Sequence, residues 1–349
     1  MKNRTIHIGE RVVGGNRTVL VVAELSGNHN GDIKRALKII DAAADAGADA
    51  VKFQTYTPDT ITIDSDTGPF QVNWKGKRRT LHDLYSEAYT PWEWHAKLFA
   101  HAKKRGLLAF SAPFDPTAVT FLEKLRVPCH KVASFEVVDI PLLEAIGKTK
   151  KPVIMSRGMA SIEEIRLALK TLRKFGTKDI ILLHCVSAYP ARPADMHLST
   201  IPDMRARFGT QVGLSDHTPG TDVAVAAVAL GATLIEKHLT LRRADGGPDS
   251  GFSLEPKEFA ALVRSVRTAA GALGKPSYAQ GADEKKNIVF RKSLFVVRDV
   301  KKGERFTPEN VRSIRPGNGL APKFYRSVLG KRAARDIKRA TPLSKNLLA

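Results

Sequence analysis

The stretch GATLIEKHLTL, residues 231–241, decides how this chain is read. It opens as an apolar, strand-like run and ends in Glu236, Lys237 and His238. Three ionisable groups at the end of a buried strand are costly unless they are paired or engaged with a ligand. A strand that finishes this way points to a cavity at its C-terminal end.

Working outward, seven more runs have the same form: TVLVVAEL, DAVKFQTY, GLLAFSAPF, VPCHKVAS, KPVIMS, DIILLHCV and TQVGLSDH. Helix-length segments separate them. In DIKRALKIIDAAADAG, Ile33, Ala36, Leu37, Ile40 and Ala44 recur at helical spacing, with Asp32 as N-cap and Gly47 just past the end. SIEEIRLALKTLRKFG and DVAVAAVALG separate later runs. Eight strand–helix units in one series predict a closed (β/α)8 TIM barrel over residues 1–275, rather than an open sheet. Ahead of it, IHIGERVVGGNRT reads as a hairpin around Gly14–Gly15 that caps the N-terminal mouth. Residues 276–290 read as a linker, and 291–349, with short apolar strands broken by Gly, Pro and Asn, as a small β-rich domain.

Composition narrows the class. The 349 residues carry a formal charge of +21, and residues 284–349 hold 18 Lys and Arg against five Asp and Glu. These cations are scattered rather than interleaved with aromatics, so they read as solvated surface that steers an anionic substrate, not as a nucleic-acid site. No apolar run reaches membrane-spanning length, MKNRTIHIGERVV lacks a signal-peptide core, and Cys129 and Cys185 make no disulfide framework. A cytoplasmic setting with no membrane partner is the expectation.

In this architecture the loops after the strands build the site. Polar residues stand at every one of those ends: Glu24; Lys52 and Gln54; Ser111; Lys131, Ser134 and Glu136; Ser156 and Arg157; Ser187 and Tyr189; Ser215, Asp216 and His217; Glu236, Lys237 and His238. Turns alone account for single serines, but not for the whole set. His217 and His238, on neighbouring strands, form a candidate pair of nitrogen ligands for a divalent metal ion, with oxygen donors completing a shell suited to Mn, Mg or Co. Hydrogen-bonded structural histidines are the alternative. Lys52 and Lys131, in apolar strands, call for an anion beside them. With Ser134 and Ser215 they make a cradle for a phosphate and a carboxylate; a Schiff-base lysine is the rival role.

These residues fall within motifs that resemble the sialic acid synthase family. AELSGNHNGDIKRALKIIDAAADAGADAVKFQTYTPDTITID, HKVASFE, GLSDHTPG, IEKHLT and RPGNG carry the resemblance along nearly the whole chain. It implies a barrel followed by an antifreeze-like (SAF) domain, and an enzyme that condenses phosphoenolpyruvate with an acylamino sugar. Leu25–Ser26 stand where neuraminate synthases have Ile-Gly; TYTPDTIT, TLHDLYSEAYTPWEWH and Ser187 resemble the pseudaminic acid branch, whereas DSDTGPFQVNWKGKRR departs from it. The implied acceptor is 2,4-diacetamido-2,4,6-trideoxy-L-altrose, with neuraminic and legionaminic precursors as alternatives.

The resemblance further implies Glu24, His217 and His238 as catalytic and Lys52, Lys131, Ser134 and Ser215 as phosphoenolpyruvate ligands. Ser111, Ser187, Gln54, Glu136, Tyr189 and Asp249 become substrate contacts. Arg315, from RPGNG, would reach the sugar in a partner's barrel, which makes a domain-swapped homodimer the expected assembly. A metal-dependent aldolase would use pyruvate and release no phosphate. A 3-deoxy-sugar-phosphate synthase would need further cations, such as those in WKGKRR. An ice-binding role fits poorly with the charge of the terminal segment, because such a surface should be flat and weakly charged.

Overall fold

In the computed structural model, which describes residues 5–15, 18–74 and 76–349, the chain divides into two compact units, Met1–Gly274 and Lys275–Ala349. The first contains the expected closed barrel. Its strands are β1 (Leu20–Glu24), β2 (Ala50–Thr55), β3 (Leu108–Pro113), β4 (His130–Val132), β5 (Val153–Ser156), β6 (Ile180–Cys185), β7 (Gln211–Asp216) and β8 (Leu234–His238). They pair in chain order, all parallel, and β8 closes on β1 with Leu234 opposite Leu20 and His238 opposite Glu24.

One long helix follows each strand: α1 (Ile33–Asp45), α2 (Trp92–Lys104), α3 (Pro116–Lys124), α4 (Ile140–Lys148), α5 (Ile162–Phe175), α6 (Thr200–Phe208), α7 (Asp222–Ala229) and α8 (Pro256–Leu273). Local chemistry explains their starts. The Asp32 carboxylate accepts from the Lys34 amide at α1, and Ser161 and Glu164 form a capping box at α5. Between β2 and α2 the chain also forms an antiparallel hairpin, Gln71–Trp74 with Lys77–Thr80, drawn largely from the segment DSDTGPFQVNWKGKRR; residue 75 lies outside the described residues.

Period-two alternation sorts the strand residues. Val21, Ala23, Val51, Phe53, Val132, Val153, Leu182, Leu214 and Ile235 belong to the outer core, with helix residues such as Ile39, Ile40, Leu142 and Leu169. Leu20, Val22, Ala50, Phe110, Cys129, Ile154, Ile181, Leu183 and Leu234 form the inner core, packed with Ile6, Ile8 and Val13 of the N-terminal hairpin. Burying one ring such as Phe110 contributes about 2–3 kcal/mol, so the lower barrel is held by apolar packing.

The hairpin caps that inner core as expected, but its turn is elsewhere. Ile6 pairs with Val13 and Ile8 with Arg11, which puts the turn at Gly9–Glu10. Gly9 has φ +55, which suits the primed turns that join two-residue hairpins. Gly14 and Gly15 come after the second strand, and residues 16 and 17 lie outside the described residues.

The second unit has its own core, with Leu294, Val296, Val300, Phe306, Val311, Ile337 and Leu343 among its members. Ser293–Val296 pairs antiparallel with Val311–Ile314, and isolated bridges tie in the chain to Leu348. The stretch expected as a linker contains a short helix, Ala282–Lys286, and a 3-10 turn, Asn287–Phe290. In RPGNG the glycines serve close approach rather than unusual backbone angles. A Cβ on Gly319 would lie 2.3 Å from the Leu294 carbonyl oxygen, and neither Gly317 nor Gly319 has positive φ. Among the described residues, no helix is long and apolar enough to cross a membrane.

The alternation also splits the opening stretch. Glu236 and His238 share the inner face with Leu234, whereas Lys237 shares the outer face with Ile235. There Lys237 Nζ meets Asp216 Oδ2 at 2.6 Å, both side chains being wholly buried. Lys237 therefore belongs to an internal ion pair between strand ends and not to the barrel mouth. Removing one partner of such a pair costs about 3–5 kcal/mol, because the other charge stays buried alone. Lys237→Met should lose stability on that scale in urea unfolding, with Asp216→Asn added to it restoring part; wild-type stability in Lys237→Met would contradict the assignment.

Candidate active site

At the C-terminal end of the barrel the inner-face residues change from apolar to polar. Glu24, Lys52, Lys131, Ser156, Ser215 and Glu236 come from six strands and form one buried cluster. Lys52 Nζ lies 2.9 Å from Glu236 Oε1 and 3.3 Å from Glu24 Oε2. Lys131 Nζ donates to Ser156 Oγ at 2.7 Å and lies 4.0 Å from Glu236 Oε1. Ser215 Oγ donates to the same Glu236 oxygen at 3.1 Å. Gln54 Nε2 donates to Glu24 Oε1 at 3.2 Å.

This geometry drives the two carboxyls apart. Burial pushes Glu24 up to about 7, against the pull of Lys52. Burial acts on Glu236 in the same direction, but Lys131 and then Lys52 outweigh it and hold that carboxyl at about 2. For Lys52, burial is outweighed by Glu236 and Glu24, so its ammonium is held above the ordinary value. Burial lowers Lys131 to about 8. Two ammonium groups thus face one carboxylate held ionised, Glu236, and one that burial makes easier to protonate, Glu24. The paired lysines favour an anion, and the two carboxyls are suited to different roles.

A rim of polar and aromatic groups surrounds this floor. Ser187 Oγ donates to Ser134 Oγ at 2.9 Å, beside Gly158 (φ +47), where a Cβ would come within 2.3 Å of Ser134 Cβ. Only glycine permits that approach. Burial raises Glu136 to about 7. Glu136 Oε2, Glu236 Oε2 and His238 Nδ1 are buried without a hydrogen-bond partner. Their gathering at one barrel mouth leaves polar capacity there for a ligand.

His217 and His238 meet there, ring centroids 5.4 Å apart. Tyr189 packs on His217 at 4.5 Å, and Phe252 on His238 at 4.8 Å. Burial holds both imidazoles below their ordinary value, hence neutral, the form that binds metal. His217 Nδ1 lies 3.0 Å from the Val186 carbonyl oxygen, which fixes the tautomer and frees Nε2. The pair fits a divalent ion with two nitrogen donors. Among the described residues no third His, Cys, Asp or Glu joins them, so the remaining donors would come from water or substrate.

The other expected residues are divided. Asp249 reaches the site through Ser26 Oγ, which donates to Asp249 Oδ2 and accepts from Gln54 Nε2 at 3.0 Å. Ser111 does not reach it. It pairs with Phe53 on the outer face, and its Oγ lies 2.6 Å from Thr55 Oγ1, which bonds His95 of α2. Ala112 takes the inward position on β3. Arg157 turns instead to His184 Nδ1, and Arg315 is exposed within the second unit. Residues not singled out as ligands include Ser26, whose hydrogen bonds depend on a backbone turn, and Phe252, an apolar side chain with no motif signal.

Residues 39–278 match the NeuB family and residues 291–349 match the SAF domain. The chain is 45% identical over 325 residues to pseudaminic acid synthase of Campylobacter jejuni subsp. jejuni, covering 92% of this chain and 94% of that protein. It is 42% identical over 329 residues to pseudaminic acid synthase of Helicobacter pylori, covering 93% and 96%. The crystal structure of N-acetylneuraminic acid synthetase from Leptospira borgpetersenii superposes with a TM-score of 0.74 at 35% identity, covering 82% of this chain and 95% of that one. Matched through most of its barrel and along nearly the full length of these synthases, the chain belongs to the NeuB family.

Proposed function

We propose that the chain joins phosphoenolpyruvate to 2,4-diacetamido-2,4,6-trideoxy-L-altrose, adds water and releases phosphate, giving pseudaminic acid. The acceptor follows the names of the synthases it is similar to. The phosphoenolpyruvate half rests on one observation: Lys52 and Lys131 converge with Glu24 and Glu236 at a single barrel mouth. Two buried ammonium groups and the hydroxyls of Ser134, Ser187 and Ser215 match a ligand bearing a carboxylate and a phosphate.

In this reading the enol methylene of phosphoenolpyruvate attacks the aldehyde carbon, forming the carbon–carbon bond while the aldehyde oxygen takes up a proton from solvent. Positive charge develops at the adjacent enol carbon, next to the ionised Glu236. Water adds there as Glu24, in its deprotonated form, takes the water's proton. The adduct then expels phosphate by carbon–oxygen cleavage, the new hydroxyl passing its proton to the departing phosphate as the keto group forms. A divalent ion (Mn, Mg or Co) held by His217 and His238 would, when bound, supply a Lewis acid for the aldehyde oxygen. Gln54, Glu136, Tyr189 and Asp249 are assigned to the sugar. Arg315 of a second copy completes the pocket in a domain-swapped homodimer.

Purified enzyme should release phosphate from phosphoenolpyruvate with the diacetamido-altrose, and more slowly with neuraminic and legionaminic precursors. Pyruvate consumption without phosphate release would instead indicate an aldolase. In the same assay kcat/KM should rise with pH through about 7, as Glu24 loses its proton, and fall above about 8, as Lys131 loses its own. Glu24→Gln should lower turnover by roughly 10²–10⁴ and remove the Glu24 share of the acid limb, leaving only what Glu136 contributes; an unchanged limb would remove Glu24 from the chemistry. Arg315→Ala and Lys131→Met chains, each inactive alone, should recover turnover when co-expressed. Lack of recovery in a confirmed mixed dimer would contradict a shared pocket.

A further inference from the structure

Ser26 has a backbone conformation that serine rarely adopts. It is 3% exposed, follows β1 by two residues, and has φ +47, in the left-handed region favoured by glycine. A non-glycine residue held there in a packed site is an outlier that the surroundings must over-determine. Three hydrogen bonds of Ser26 do so, with one between its neighbours. The Ser26 amide donates to Glu24 Oε1 at 3.0 Å. Gln54 Nε2 donates both to Ser26 Oγ at 3.0 Å and to that same Glu24 oxygen at 3.2 Å. Ser26 Oγ donates in turn to Asp249 Oδ2. The loop carrying Asp249 is tied to the same turn a second time, through Asn28 Nδ2 to Ser253 Oγ at 2.9 Å and Ser253 Oγ to the Asp249 carbonyl oxygen at 2.7 Å.

The hydroxyl therefore joins the turn after β1 to Gln54 of β2 and to the loop after β8. Glycine would relieve the backbone and keep the amide hydrogen bond to Glu24, but sever both hydroxyl links. We propose that Ser26 is a positioning residue, whose hydroxyl clamps Gln54 and Asp249 to the Glu24 carboxyl so that the water-activating and sugar-binding groups keep a fixed relation. This rests on the functional reading above, since it gives Glu24 and Asp249 their roles. Ser26 touches neither substrate in this account and acts through its neighbours. The loop after β8 could be held by Asn28 and Ser253 alone, but they anchor its backbone and not the Asp249 carboxylate.

Two variants separate the hydroxyl from the backbone. Ser26→Ala keeps the unfavourable φ and removes Oγ; Ser26→Gly removes Oγ and relieves the φ. Glycine should give the higher melting temperature of the two, yet both should lose at least about tenfold in kcat, with KM for phosphoenolpyruvate within about twofold of wild type. Ser26→Gly at wild-type turnover would overturn the proposal, as would losses in kcat that merely follow the melting temperatures. Crystal structures of wild type and Ser26→Gly give a readout independent of turnover: the Asp249 carboxylate and Gln54 amide should shift relative to Glu24, and unmoved groups would also overturn it. Should wild type itself turn over no acylamino sugar, the functional reading falls, and the crystallographic comparison still decides whether Ser26 positions these groups.

Discussion

Lys52 is shared between two buried carboxylates, and the rest of the barrel mouth depends on how that one ammonium is divided. At 2.9 Å from Glu236 and 3.3 Å from Glu24 it favours the former. Lys131 adds to the bias, so Glu236 stays ionised while burial leaves Glu24 able to hold a proton near neutrality. Two chemically identical side chains thereby become a fixed anion and a titrating acid–base group. Replacing either lysine would leave a buried carboxylate under-compensated, which is the costly direction for such networks.

The barrel makes this arrangement affordable by segregating it. Apolar inner residues and the capping hairpin fill the N-terminal half, so the polar end need not supply the packing. Charges that are not needed at the mouth are paired elsewhere. Lys237 and Asp216, next in sequence to Glu236 and Ser215, neutralise one another on the outer face. One strand thus delivers a carboxylate and an imidazole inward and an ammonium outward, which answers why three ionisable residues run together at 236–238.

Much of this was legible in the sequence, and particular residues show where legibility stopped. The eight strands, their order and the convergence of Glu24, Lys52, Lys131, Ser215, His217 and His238 follow from apolar runs with polar ends. Ser111 and Lys237 are polar strand-end residues too, yet they point outward. Position near a strand end selects a level of the barrel, and only the phase of the alternation, set by neighbours such as Phe110 and Ile235, selects the face. The N-terminal hairpin offered glycine at 9 and at 14–15, and pairing register rather than composition decided between them. Ser26 was visible as a departure from Ile-Gly, but its left-handed backbone and its link to Asp249, 223 residues away, belong to the folded chain.

Chemistry at the barrel mouth depends on unequal protonation of the two carboxyls that share Lys52. Neutron diffraction from deuterium-exchanged crystals grown near pH 6 reads this directly. The expected map shows a deuteron on Glu24, none on Glu236, and three each on the Lys52 and Lys131 ammonium groups. A deuteron on Glu236, or a bare Glu24 at that pH, would contradict it.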